Sequence, residues 1–295
     1  MPEERPKTIL VDYNKCISCG ICVSLCPQDA LELRDGVPEV VGKCKVCGLC
    51  AASCITRAIE MSAAKFKEES ILAEIVPEKK IVVFSCRRNI EKDKDYDASV
   101  VSLLCSSRLD AYFIAEAFAK GAEGVVVATC GESCRNYPGS AEVRSKVRLI
   151  EKTLEKLGES KDRILLVEGD FSDAIVKMKS KVSGKVEGAE IIRDVTLNRD
   201  VRALVAKMRT VTEVGNVYGE KVDYEKYDGL LDEIVDKAVK SAMILHYLNG
   251  GAKISEIVTK TGLTYRDVLD TVLEMKRKDL VELEVEEEVF VKAKG

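Results

Sequence analysis

One cysteine run occurs twice in this chain, and the two copies start twenty-eight residues apart. The first is Cys16-Ile-Ser-Cys19-Gly-Ile-Cys22-Val-Ser-Leu-Cys26, and the second is Cys44-Lys-Val-Cys47-Gly-Leu-Cys50-Ala-Ala-Ser-Cys54. Each reads C-x2-C-x2-C-x3-C. That spacing wraps three thiolates around one iron–sulfur cube and sends the fourth to a neighbouring cube. The loops are too short to place four tetrahedral thiolates on one cube. The expectation is therefore a crossed pair of 4Fe–4S sites, with Cys16, Cys19, Cys22 and Cys54 on one and Cys44, Cys47, Cys50 and Cys26 on the other. The spacing predicts that each fourth cysteine begins a short helix. Zinc knuckles and disulfide frameworks are the competing readings, but zinc sites come as separated CxxC pairs rather than four cysteines in eleven residues.

Glycine follows the second cysteine of both copies, and Ala30 and Ala58 lie four residues past each fourth cysteine. With these features the first sixty or so residues resemble bacterial-type two-cluster ferredoxins. Pro27 follows that family's pattern in the first copy, whereas Ile55 replaces proline in the second.

The chain has 295 residues and twelve cysteines. That length suggests two or three domains. Met1–Glu4 carries no secretory pattern, so the cysteines point to a reducing cytoplasm, where thiols bind metal. No apolar run approaches the ~18 residues of a membrane span. A net charge of −4 gives no general case for nucleic acid or an anionic membrane.

Four regions are expected: a ferredoxin-like domain over 1–62, an α/β domain over 80–182, a helical connector over 183–229 and a winged-helix-like domain over 230–295. The segment 63–79 reads as a linker. In the second region, continuous apolar strands at 81–84, 98–104, 124–128 and 164–167 alternate with helical patterns at about 110–120, 140–158 and 171–182. This predicts a parallel sheet covered on both faces, a flavodoxin-like α/β domain. Within the connector only Asp200–Thr212 reads as an amphipathic helix. Beyond it, helices at 230–248, 254–261 and 264–278 precede a two-stranded ribbon, the order of a winged helix-turn-helix.

The remaining cysteines, Cys86, Cys105, Cys130 and Cys134, follow strand ends or lie near one. Sites in open parallel sheets form beyond the carboxyl ends of the strands, so these thiols should converge on a 2Fe–2S cluster or on zinc. Phe84-Ser85-Cys86, Leu103-Leu104-Cys105-Ser106-Ser107-Arg108-Leu109-Asp110, Gly124–Val127, Cys130–Tyr137 and the basic helix Arg144–Leu157 together resemble the delta subunit of methyl-viologen-reducing hydrogenase. The resemblance covers about 80–182. It implies a 2Fe–2S cluster on Cys86, Cys105, Cys130 and Cys134. It also implies electron transfer from a hydrogenase or formate dehydrogenase to the flavin subunit of a heterodisulfide-reductase-type complex. Arg88-Asn89 stands where that family often has a further cysteine, and the family's histidines around the third and fourth cysteines are absent.

No acid–base pair, nucleophile or nucleotide motif stands out, which leaves an electron-transfer subunit without a substrate site of its own. His246, the only histidine, fits packing or a surface tip, and Lys276-Arg277-Lys278 fits a solvated helix end. A winged helix could instead make the chain a redox-sensing DNA-binding regulator. The balance from 228 to 295, ten Lys and Arg against fourteen Asp and Glu, opposes phosphate binding and favours protein docking.

Overall fold

A computed structural model describes residues 8–64, 67–134, 136, 137, 139, 141–216, 218–248, 250–285 and 288–294. The chain begins with β1 (Ile9–Val11), the one-turn α1 (Ile21–Ser24), the hairpin β2 (Leu31–Arg34) and β3 (Val37–Val40), the one-turn α2 (Leu49–Ala52) and β4 (Ile59–Met61). β1 and β4 pair antiparallel with Ile9 opposite Met61. Asp35 and Gly36, both at positive φ, make the tight turn between β2 and β3. A small core of Ile9, Leu31, Ala51, Ile59 and Met61 holds these pieces together with the cysteines.

Seven of the seventeen residues read as a linker form helix α3 (Glu68–Glu74). Its Ile71 and the following Ile75 are buried in the main core, and that apolar contact keeps the segment on the sheet domain. The sheet follows: β5 (Ile81–Cys86), β6 (Ser99–Leu103), α4 (Ala111–Ala119), β7 (Gly124–Thr129), α5 (Val143–Lys156), β8 (Ile164–Glu168) and α6 (Ser172–Lys181). All strands are parallel, in the order β6-β5-β7-β8. Every residue of β5 and β7 is buried. Alternate side chains face opposite sides: Val82, Phe84, Val125 and Val127 enter the large core under α4 and α5, while Ile81, Val83, Val126 and Ala128 meet α6.

The connector is more ordered than its polar sequence suggests. It holds α7 (Ala189–Leu197) and α8 (Arg199–Arg209), which ends in a wider π-type turn at Thr210–Val214. Ile192, Val195, Val201 and Val205 bury themselves in the core of the sheet. Helix α9 (Tyr224–Tyr247) starts six residues before the expected point because Asp223 caps it, accepting from the backbone N–H of Glu225 at 2.8 Å, and because Tyr227 is buried. Tyr227, Leu231 and Val235 belong to the main core, whereas Ile244 and Leu248 belong to a separate C-terminal core. That second core is completed by β9 (Ala252–Lys253), α10 (Ile254–Thr261), α11 (Tyr265–Arg277), β10 (Val281–Val285) and β11 (Val289–Ala293), with sheet order β10-β11-β9. Among the described residues, no helix is long and apolar enough to cross a membrane.

Candidate metal centres

The two cysteine runs fold alike, residue for residue. Gly20 and Gly48 adopt left-handed backbone, φ +72° and +76°, and cap the helices α1 and α2. Two non-glycine positions in each copy share this strained region: Ser18 and Val46 before the second cysteine, and Asp29 and Arg57 three residues past the fourth. A β-branched residue such as Val46 adopts that conformation only under compulsion. The helices lie before the fourth cysteines, not after them as the spacing suggested. Pro27 disfavours helical backbone at Cys26, so the chain turns there. Past each fourth cysteine, backbone N–H groups donate to sulfur, Ala30 to Cys26 Sγ at 3.4 Å and Ala58 to Cys54 Sγ at 3.2 Å, and at the start of the second run Val46 donates to Cys44 Sγ at 3.4 Å. Ala30 and Ala58 are buried at these contacts, which explains the small side chain in both copies.

The fourth cysteines cross between runs. Cys26 lines one cavity with Cys44, Cys47 and Cys50, enclosed by Ile9, Leu31, Leu49 and Met61. Burial pushes the Cys22 thiol up to about 12, and Cys54, Cys19 and Cys16 are the neighbouring thiols that add to the rise. Burial likewise raises Cys50, with Cys47, Cys22 and Cys44 adding to it. Cys22 and Cys50 are therefore neighbours, and the two groups adjoin there. Among the described residues, no three His, Cys, Asp or Glu side chains converge tightly enough to hold a single metal ion. A cluster separates its thiolates by its own width, so a sulfur-lined cavity is the form its site takes.

The other four thiols are assembled by the sheet. Cys86 is the last residue of β5, Cys105 lies two residues past β6, and Cys130 directly follows β7. Cys134 comes after a single 3-10 turn at Gly131–Ser133. β5 and β7 flank the point where strand order reverses, the crevice in which open parallel sheets bind their ligands. Burial pushes the Cys130 thiol up to about 12. A hydrogen bond with Cys86 comes next among the causes, followed by the proximity of Cys86, Cys134 and Cys105.

Two amides, neither expected from the sequence to touch sulfur, complete this set. Asn89 Oδ1 lies 3.6 Å from Cys130 Sγ while its Nδ2 donates to the Thr129 carbonyl at 2.9 Å. Asn136 donates from Nδ2 to Cys105 Sγ at 3.6 Å and from its backbone N–H to Cys134 Sγ at 3.4 Å. Asn89 occupies the very place where the expected extra cysteine is missing, and that substitution was the available signal. Beside Cys105, the Ser106 hydroxyl is buried without a hydrogen-bond partner among the described residues. A sulfur-rich group in the crevice would supply an acceptor.

The ferredoxin-like region and the sheet crevice adjoin. Burial raises Cys47 to about 11, and Cys105 is the foremost neighbouring thiol in that rise. Arg108 lies against Gly48, where a Cβ would come within 2.4 Å of its Cδ. The buried Arg108 donates to Glu60 Oε1 at 3.3 Å and covers the Phe113 ring at 5.0 Å. His246 is exposed on α9, and Lys278 pairs with Asp200 and Glu274, so neither joins a centre.

Comparison with known proteins follows the same division. Residues 81–188 match the family described as methyl-viologen-reducing hydrogenase, delta subunit, and residues 9–32 match the 4Fe-4S binding domain. The chain is 31% identical over 220 residues, 66% of its length, to a subunit of the ferredoxin:CoB-CoM heterodisulfide reductase of Methanosarcina mazei. It is 35% identical over 68 residues, 23% of its length, to an iron-sulfur subunit of the F420-non-reducing hydrogenase of Archaeoglobus profundus. Its likeness to an iron-sulfur subunit of the F420-non-reducing hydrogenase vhc of Methanococcus voltae is 30% over 67 residues, 22% of its length. The matches span 28%, 50% and 46% of those three proteins in turn. The chain thus joins a domain of the methyl-viologen-reducing hydrogenase delta-subunit family to an N-terminal 4Fe–4S binding domain.

Proposed function

We propose that this chain is an electron-transfer adaptor carrying two 4Fe–4S clusters and one 2Fe–2S cluster in series. One observation carries the reading: the three thiol groups adjoin, with Cys22 near Cys50, Cys105 near Cys47, and Arg108 of the Cys105 loop packed against Gly48 of the second cysteine run. In this reading Cys16, Cys19, Cys22 and Cys54 hold the first cube, Cys44, Cys47, Cys50 and Cys26 the second, and Cys86, Cys105, Cys130 and Cys134 the third centre. Each cluster, when bound, takes up and gives back one electron. The protein's part is to hold sulfur ligands, donate hydrogen bonds to them and keep water from the buried ones. The N–H donors at Ala30, Ala58, Val46 and Asn136 lower the negative charge on the sulfurs they touch, which favours the reduced state.

The family match over 81–188 supports a hydrogenase-type system on one side of the relay, and the likeness to a heterodisulfide reductase subunit supports a complex of that type on the other. A formate dehydrogenase as donor and a flavin subunit as acceptor are part of the proposal. Residues 230–295 are read as a winged-helix-like module. Its acidic balance suits docking to a protein rather than to DNA. Glu282, Glu284 and Glu288 belong to its ribbon; Glu286 and Glu287 lie outside the described residues. The chain itself is proposed to turn over no substrate.

The test is Cys105→Ala in the assembled complex. Both cubes should remain while electron flow between the partner subunits stops. Unchanged flow in a complex verified to lack the third centre would remove that centre from the path.

A further inference from the structure

Arg202 on α8 is 6% exposed and Asp110, the residue that begins α4, is 3% exposed. They form a two-pronged ion pair, Nη1 to Oδ1 at 2.9 Å and Nη2 to Oδ2 at 2.8 Å. The remaining N–H groups of the guanidinium go to backbone. Nε and Nη2 both donate to the Cys54 carbonyl, at 3.1 and 2.9 Å, and Nη1 donates to the Thr196 carbonyl at 3.1 Å. A longer contact of 3.4 Å reaches the Ala52 carbonyl. Every donor of the planar fork is therefore committed, in a place where an unpaired charge would be costly.

The partners come from three parts of the chain. Cys54 ends the second cysteine run. Asp110 lies five residues after Cys105, and its Oδ1 also accepts from the Tyr112 backbone N–H at 3.1 Å, which fixes the start of α4. Thr196 ends α7. A second buried cation holds the same loop from beneath: Lys146 Nζ donates to the Leu109 carbonyl at 2.7 Å. No other described residue bonds to both cysteine-bearing segments in this way through so many contacts, and the adjoining thiols Cys47 and Cys105 lie on those two segments.

We infer that Arg202 is a positioning residue for electron transfer: by clasping the Cys54 carbonyl and the Asp110 carboxylate together, it holds the second cysteine run, which carries Cys47, against the segment that carries Cys105, and so sets the distance between the second cube and the third centre. The inference rests on the relay reading above. With clusters held by Cys86, Cys105, Cys130 and Cys134 and by Cys44, Cys47, Cys50 and Cys26, the step it governs would be the exchange of one electron between them, one centre oxidised as the other is reduced, with no bond formed or broken and no proton moved. Tunnelling rates fall exponentially with separation, so a loosened clasp slows the step without removing either cluster. Lysine has three donors and no fork and cannot hold both partners.

The experiment uses the full chain, loaded with iron and sulfide under anaerobic conditions and reduced with dithionite. The magnetic interaction between the third centre and the cubes is read from electron paramagnetic resonance. Intramolecular transfer is timed after flash photoreduction. In Arg202→Met with its full iron content, the interaction should weaken and transfer should slow by about tenfold or more. Arg202→Lys should recover only a minor part. If Arg202→Met fails to load, the double variant Arg202→Met with Asp110→Asn, which leaves no lone buried carboxylate, takes its place with the same expectation. A loaded variant with wild-type coupling and rate would overturn the positioning role while leaving the relay intact, and so would full recovery in Arg202→Lys. Absence of any interaction in the wild-type chain would overturn the relay reading and this inference with it.

Discussion

The ferredoxin-like region and the parallel-sheet domain hold their cysteines by opposite means. In the first, eight thiols come from two runs of eleven residues, and the apolar core between them is a handful of side chains. Ser18, Asp29, Val46 and Arg57 sit in strained left-handed backbone that this small core is poorly placed to enforce. In the second, four thiols spread over forty-nine residues are brought together by two fully buried strands and the helices on both faces. The contrast teaches a division of labour. In the first region the metal makes the fold, and in the second the fold makes the site.

Stripping iron is the largest blow that can be dealt to this contrast. With a chelator under reducing, anaerobic conditions, hydrogen exchange across β1, α1, α2 and β4 should approach unprotected values, while β5 and β7 keep their protection. Loss of both regions together would break the contrast. Phe84→Ala attacks from the other side. Phe84 is fully buried at the centre of the sheet, so its truncation should cost about 3–5 kcal/mol and empty the third centre before either cube. Iron counting beside thermal unfolding checks it; loss of a cube with the third centre intact would be the wrong outcome.

Smaller changes sharpen the comparison. Arg148 binds Asp228 through two hydrogen bonds at 2.8 and 2.9 Å, and Lys152 lies 3.0 Å from the same carboxylate, tying α9 to α5. The hydrogen bonds from Arg148 hold the Asp228 carboxyl down to about 2. A depressed carboxylate contributes stability above its unfolded range near pH 4, and that contribution fades as pH falls toward 2. The pair is partly open to solvent, so Asp228→Asn should cost about 1 kcal/mol near neutral pH. The cost should be equal in iron-loaded and iron-free protein, as unfolding of the sheet domain at pH 7 and pH 3 would test; at pH 3 the difference from wild type should have narrowed. Ser18→Gly is the mildest change. Ser18 is exposed at φ +56°, and glycine there should relieve strain worth about 1 kcal/mol or less, seen as slower release of iron to a chelator. Faster release would show that the loop is not strained. The full chain should retard no duplex DNA at micromolar concentration; sub-micromolar, salt-sensitive, sequence-specific binding would replace the docking role of the C-terminal module.

The same contrast governs what could be read before the structure. The cysteine runs were legible because their thiols are local in sequence, and the spacing anticipates the cavity that Cys26 lines with Cys44, Cys47 and Cys50. The strands were legible as unbroken apolar runs. The convergence of Cys86, Cys105 and Cys130 followed from their places after three of them. In the connector, α8 was legible as the amphipathic pattern over Asp200–Thr212, whereas α7 was not. α7 is nine residues long, and its apolar face gains meaning only against α4 and α9. Asn89 and Asn136 carry no periodic signal, and their bonds to sulfur depend on where β5 and β7 end. Arg202 reads as one more cation on an amphipathic helix, because its partners Cys54 and Asp110 lie 148 and 92 residues away.

Iron and zinc analysis of the anaerobically prepared full chain, with Mössbauer spectra of the same sample, tests the central claim most directly. The relay of three adjoining centres predicts about ten irons per chain, four for each cube and two for the third site, no stoichiometric zinc, and a spectrum with both 4Fe–4S and 2Fe–2S components. About eight irons with one zinc per chain would make the sheet crevice a structural metal site and end the relay at Cys47.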